Sequence, residues 1–133
     1  MGRVMANGLF VHDVTAPNCV VLSLCGELDI FTAPVLRAQL AELAARGQRQ
    51  LVFDLTPLLF IDAYGVRVLL AAAAQARERG GWVRLIGVRS RMRRGLLIRR
   101  VIRRLPVYRT LEEALNAPPR HFTSVLVDRF GEA

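Results

Sequence analysis

Two carboxylates, Asp54 and Asp62, lie close together in the sequence, and paired carboxylates suit general acid–base chemistry. Asp54, however, ends an apolar strand pattern and Asp62 precedes a helical one, and both are ordinary structural positions for aspartate. His12 and His121 lie near opposite ends without metal-ligand spacing, and no Gly-x-Ser-x-Gly elbow or glycine-rich phosphate loop is present. The sequence therefore predicts a protein that is not an enzyme, with no catalytic residue, metal site or cofactor.

The basic residues exclude further enzyme classes. All 19 are arginine, and both the P-loop nucleotide site and Schiff-base chemistry need a lysine amine.

The two cysteines, Cys19 and Cys25, fall in or beside one predicted strand, which separates them by about 20 Å. A disulfide needs Cα atoms within about 7 Å. We therefore expect two buried free thiols.

The length and composition suit one globular domain. The chain has 133 residues, of which 53% are hydrophobic, enough for a single two-layer core. No charge-free apolar run reaches the length of a membrane span, and the N-terminal residues lack the apolar core of a signal peptide. These features predict a cytoplasmic protein.

Strand and helix patterns alternate along the chain. Apolar runs predict strands at residues 9–14, 20–24, 51–55 and 82–86, and helical spacing follows Thr32 and Asp62. Residues 57–61 are predicted as a loop, 89–104 as an arginine-rich helix and 110–116 as a closing helix. The pattern predicts a small α/β domain whose mostly parallel sheet has about four or five strands, with about four helices.

The domain is expected to span residues 1–117, with its core within 9–116. Residues 118–133 are expected to form a tail that is either flexible or adds an edge strand through its apolar segment at 125–127.

Three segments resemble the STAS family of anti-sigma-factor antagonists. They are Gly26-Glu27-Leu28-Asp29 followed by Thr32-Ala33, the stretch 54–65, and the closing segment 108–115 with its Glu-Glu-Ala helix. Members that are switched by phosphorylation have Asp-Ser-Ser/Thr-Gly at the helix start, and the first serine accepts the phosphate. Here those four positions are Asp62-Ala63-Tyr64-Gly65, so Ala63 occupies the phospho-acceptor position.

The resemblance implies a non-enzymatic binding module. In partner-switching systems such a domain binds an anti-sigma factor, itself an ATP-using kinase, and thereby frees a sigma factor. The surface implied for this partner comprises Asp29, Thr32, Asp62, Ala63, Tyr64, Gly65 and Arg67. The same fold would also suit a scaffold or sensor module that binds another protein outside any sigma pathway.

Three of these residues have more than one interpretation. Thr32 is either the cap of its helix or part of the partner surface. Tyr64 is either an exposed interface anchor or a cover over the core. Gly65 either leaves room for a partner backbone to approach closely or is a glycine that packs tightly within the domain.

The excess positive charge lies in one segment. Residues 89–109 contain nine arginines and no acid, which accounts for the formal net charge of +8. An amphipathic helix with a solvated basic face is one interpretation, and an acidic partner is another. Nucleic acid, bound through its phosphates with little sequence preference because no base-reading geometry is evident, is a less favoured alternative. Anionic lipid is weakened because the apolar stripe is expected to face the core. The basic surface is predicted at Arg93, Arg99, Arg100, Arg103 and Arg104.

Overall fold

The computed structural model describes the backbone of residues 2–6 and all atoms of residues 8–118. The described part contains seven strands and five helices. They are β1 (Gly2–Ala6), β2 (Leu9–Ala16), β3 (Cys19–Leu28), α1 (Ala33–Ala45), β4 (Gln50–Asp54), β5 (Leu58–Ile61), α2 (Ala63–Glu78), β6 (Trp82–Ile86), α3 (Ser90–Arg93), α4 (Leu96–Ile102), β7 (Val107–Tyr108) and α5 (Leu111–Asn116). The predicted tail from residue 119 onward and His121 lie outside the described residues.

All described strands belong to one mixed sheet. Its order is β1-β2-β3-β4-β6-β7, and β5 pairs with β3. The first three strands form an antiparallel meander, whereas β3–β4, β3–β5, β4–β6 and β6–β7 are parallel. The predicted α/β class is therefore confirmed, although the sheet has more strands than expected.

Strand β5 replaces the loop that the sequence predicted at 57–61. The beginning of β3 pairs with β4 and its end with β5, and the register shifts between Gly26 and Glu27. Gly26 has a φ of 109°, and a Cβ there would collide with the carbonyl of Gly8. A side chain would therefore be strained at this shift. The burial pattern of β5 explains the wrong prediction, because two exposed residues separate two buried ones instead of alternating with them.

The core lies on both faces of the sheet. On one face, Leu22, Phe53 and Leu85 pack with Leu36 of α1 and Leu69 of α2, all fully buried. On the other face, a smaller cluster contains Cys19, Val52, Ile86 and Ala114. Successive strand residues point to opposite faces, so α5 covers the face opposite α1 and α2.

Arg84 is buried in the smaller cluster, with 2% of its surface exposed. Its guanidinium lies 3.8 Å from the centre of the Trp82 ring and donates to the carbonyls of Ala114, at 2.6 Å, and Pro118, at 3.2 Å. A buried cation needs such partners. This side chain, which the sequence did not single out, thereby ties the end of α5 to β6.

Two further sequence predictions are corrected. The arginine-rich helix is broken, because Gly95 has an extended backbone, with φ −71° and ψ 142°, between α3 and α4. Glycine is disfavoured in helix interiors.

Cys25 is exposed, so only Cys19 is a buried thiol. Burial raises the pKa of Cys19, and the positive charge of Arg84 lowers it by a smaller amount.

The first turn of α2 lies directly on β3 at Gly65. A Cβ at this position would be 2.7 Å from the carbonyl oxygen of Leu28 and 2.8 Å from a side-chain carbon of Ile61. Gly65 is itself buried. The interpretation that this glycine makes room for a partner is therefore wrong, since the space is filled by the protein's own strand.

We expect Gly65→Ala to destabilise the protein by about 2 kcal/mol, because the added methyl group overpacks the contact between α2 and β3. Urea unfolding measures this loss. The sign is diagnostic, because alanine in a helix without such a contact stabilises by about 1 kcal/mol. A more stable variant would contradict the packing described here.

Candidate partner-binding surface

The loop between β3 and α1 is held by Asp29. Its Oδ1 accepts hydrogen bonds from the backbone N–H groups of Phe31, at 2.9 Å, and Thr32, at 3.0 Å. The fully buried hydroxyl of Thr32 accepts from the N–H of Asp29 and donates to the carbonyl of Glu27, both at 2.9 Å. Thr32 makes no side-chain cap to α1. Thr32 is therefore the N-cap residue by position, as predicted, but the predicted capping by its hydroxyl is wrong. The hydroxyl instead holds the loop against the end of β3.

Asp62 joins this loop to the start of α2. Its Oδ1 accepts from the N–H of Gly65 at 3.0 Å, which confirms the predicted N-cap. Its Oδ2 accepts from the N–H of Ile30 at 3.0 Å, and its own N–H donates to the carbonyl of Leu28 at 3.1 Å. Both oxygens of the carboxylate are therefore used within the chain, and Asp62 acts as a positioning residue.

Exposed apolar side chains lie on the segments around Asp62. Phe31 is 80% exposed and Leu59 is 73% exposed, which is unusual for side chains of this size. We call this group the apolar patch, and its members are Ile30, Phe31, Leu59, Phe60 and Tyr64. Sequence reasoning found only Tyr64, because the other four were assigned to loops. The signal was nevertheless present as adjacent apolar pairs in segments predicted to lie at the surface.

The helix start adds one cation to this surface. The guanidinium carbon of Arg67 lies 5.3 Å from the centre of the Tyr64 ring, one turn away on α2, which is within cation–π distance. Tyr64 is 42% exposed, which agrees with the interpretation as an exposed anchor. Ala63 is also exposed, and its methyl group presents neither a charge nor a hydroxyl.

The residues predicted to bind a partner and those predicted to form the basic surface lie at two different places in the fold. Asp29, Thr32, Asp62, Ala63, Tyr64, Gly65 and Arg67 come together where β3 and β5 meet the start of α2. The exposed residues Arg93, Arg99, Arg100, Arg103 and Arg104 instead lie on and beside α3 and α4. At the start of the basic segment, Arg89 donates a hydrogen bond to the carbonyl of Leu58 on β5 at 3.0 Å, which links this segment to the strand that precedes α2.

Replacing Asp62 tests the link between loop and helix. We expect Asp62→Ala to lose about 2 kcal/mol of stability, because it removes one cap bond and one loop bond. Asp62→Asn retains one acceptor oxygen and should lose about half as much. Hydrogen exchange of the Ile30 amide should accelerate in the alanine variant, and unchanged exchange there would show that the loop is held by other contacts.

Known proteins match this chain in sequence and in fold. Residues 11–103 match the family described as Mlab, STAS domain. The anti-sigma-B factor antagonist of Bacillus subtilis (strain 168) is 30% identical over 75 residues, which are 56% of this chain and 68% of that protein.

Two solved structures show the same architecture. An anti-sigma factor antagonist from Mycobacterium paratuberculosis superposes with a TM-score of 0.66 at 27% identity, over 84% of this chain and 94% of that one. The anti-sigma factor antagonist SpoIIAA in its unphosphorylated form gives a TM-score of 0.62 at 20% identity, over 94% and 99% of the two chains, and supports the fold alone. Since the family match covers most of the chain and the fold agrees with it, this chain belongs to the STAS domain family.

Proposed function

We propose that this protein is an anti-sigma-factor antagonist that binds a kinase-type anti-sigma factor and frees a sigma factor. The observation that supports this most directly is the apolar patch around the start of α2, which includes the predicted residue Tyr64. Large apolar side chains this exposed on the segments around one helix start indicate a surface used for binding. The anti-sigma-B factor antagonist among its relatives supports the identity of the partner.

The chemistry of the surface fits binding better than catalysis. The carboxylates of Asp29 and Asp62 accept hydrogen bonds from the chain's own backbone, so they serve to shape the surface. The remaining exposed groups are aromatic and aliphatic, with the cation of Arg67 at the edge. Aromatic side chains and arginine are the residues that most often dominate the energy of a protein interface.

We further propose that the protein lacks the serine switch of the phosphorylated members. Ala63 occupies the position that the resemblance assigns to the phospho-acceptor, and it is exposed beside the patch. A phosphate there would sit at a helix N-terminus, which accommodates anions, but it would bring about −2 charges to an apolar interface. With alanine in this position, the surface stays in its binding form in the presence of an active kinase.

Phe31 provides the first test. The chain serves as bait to recover its partner from native lysate, and the affinity of the purified partner is then measured by titration. We expect Phe31→Ser to weaken binding about thirtyfold, because truncation of an aromatic anchor costs about 2 kcal/mol. The matched control is Val14→Ser, an exposed apolar residue on β2, which should bind like the wild type.

Recovery of a kinase-type protein whose affinity is insensitive to Phe31 would contradict the assigned surface. Recovery of a partner unrelated to sigma regulation would instead favour the scaffold or sensor module.

Ala63 provides the second test. After incubation with the anti-sigma factor and ATP, peptide mass spectrometry should find no phosphate between residues 56 and 64 of the wild type. Tyr64 has a hydroxyl, but its reach and acidity differ from those of serine. Ala63→Ser should accept the phosphate and then lose affinity for the partner. Phosphate in this segment of the wild type would refute the missing switch while leaving the binding proposal intact.

A further inference from the structure

The arginine-rich segment presents a second exposed surface. It consists of α3, the bend at Gly95, α4 and the turn that follows α4. We call it the α3–α4 face. Helix α4 packs inward through Ile98 and Val101, which are buried. The exposed arginines of the face are Arg91, Arg93, Arg94, Arg99, Arg100, Arg103 and Arg104.

No acidic side chain lies within this segment. The sequence contains no Asp or Glu between Glu78 and Glu112, and the salt bridge found within residues 8–118 joins Arg46 to Glu42 on α1. Arg93 and Arg99 donate hydrogen bonds to backbone carbonyls, which leaves their charges uncompensated. The α3–α4 face is therefore strongly cationic and suits an anionic surface.

One large apolar side chain projects from the middle of these charges. Leu96 is 79% exposed at the start of α4. Residues three, four and seven positions apart share a helix face, so Leu96 lies on the same outward side as Arg99, Arg100 and Arg103. The expectation that the apolar side of this segment is used up by the core is therefore incomplete, because Leu96 lies outside the packed stripe.

The composition of the face distinguishes among anionic partners. From residue 91 to 105 every side chain is arginine or a non-aromatic apolar group, apart from Gly95. Arginine reads guanine, but adenine is read by the amides of Asn and Gln, and binding of single strands uses aromatic rings for stacking; this stretch has neither. The interface anchors of proteins include aromatic side chains as well as arginine, and no aromatic residue occurs between Trp82 and Tyr108. Clustered arginines are attracted to anionic lipid, and an exposed leucine among them adds apolar area that a membrane boundary can bury.

We propose that the α3–α4 face docks on an anionic membrane surface. The arginines contact lipid phosphates, and Leu96 enters the boundary between headgroups and acyl chains. The docking is peripheral, since no helix in the described part of the chain is long and apolar enough to cross a bilayer. This inference is independent of the proposed function, because its residues lie outside the apolar patch.

The test is flotation of the full chain with vesicles of two compositions. One set contains phosphatidylcholine and phosphatidylglycerol in equal amounts, and the other contains phosphatidylcholine alone. We expect binding to the anionic vesicles at low salt, a marked loss at high salt because exposed charges are screened, and no binding to the neutral vesicles.

Two pairs of variants separate charge from insertion. Arg99→Gln/Arg100→Gln should bind anionic vesicles about thirtyfold more weakly, whereas Arg37→Gln/Arg77→Gln removes the same charge from other exposed positions and should have little effect. Leu96→Ser should bind about fivefold more weakly, and Leu115→Ser, an exposed leucine on α5, should bind like the wild type. Matching thermal unfolding midpoints verify that all four variants are folded.

Three outcomes would overturn the inference. They are the absence of binding to anionic vesicles at low salt, an equal loss in the two arginine pairs, and wild-type binding by Leu96→Ser. The last result would leave charge alone as the cause, and the arginines would then be better explained by an acidic protein or a nucleic acid. A gel shift with duplex and single-stranded oligonucleotides distinguishes these two.

Discussion

The shape of the proposed binding surface depends on the carboxylate of Asp62. One oxygen caps α2 and the other holds the loop after β3, so a single side chain fixes two segments that are distant in the sequence. The adjacent Gly65 allows the helix to lie directly on β3. Without these two contacts, Phe31 and Tyr64 would lie on segments free to move independently. Preorganisation of this kind lowers the conformational entropy that an interface loses on binding.

In this arrangement the polar residues fix the shape of the surface, and other residues are left to contact a partner. Asp29, Thr32 and Asp62 are polar, but their side chains bond to the chain's own backbone. The groups left for a partner are mostly apolar. Such a surface binds through burial of area and is weakly sensitive to salt, in contrast to the α3–α4 face, whose attraction depends on charge. The two surfaces therefore respond to different conditions.

The sequence predicts much of the fold, because several signals are local. The cap at Asp62 and the start of the closing helix, where the N–H of Glu113 donates to the hydroxyl of Thr110, depend on residues within a few positions of each other. Strand β5 and the buried state of Arg84 depend instead on tertiary neighbours, namely the end of β3 and the carbonyls near α5. The role of Thr32 was missed for the same reason, since its partner, the carbonyl of Glu27, lies in the preceding strand.

The hydrogen bond between Ile30 and Asp62 has a consequence for how the protein folds. It joins residues that are 32 positions apart, whereas the meander of β1, β2 and β3 is built from neighbouring strands. Contacts between distant residues require the loop between them to close, and they form later than local ones. We therefore expect the meander to form before the crossover through α1 and β4 is complete. The loop and the helix start then reach their final positions among the last steps of folding, so an incompletely folded chain exposes apolar residues before it has assembled a competent surface.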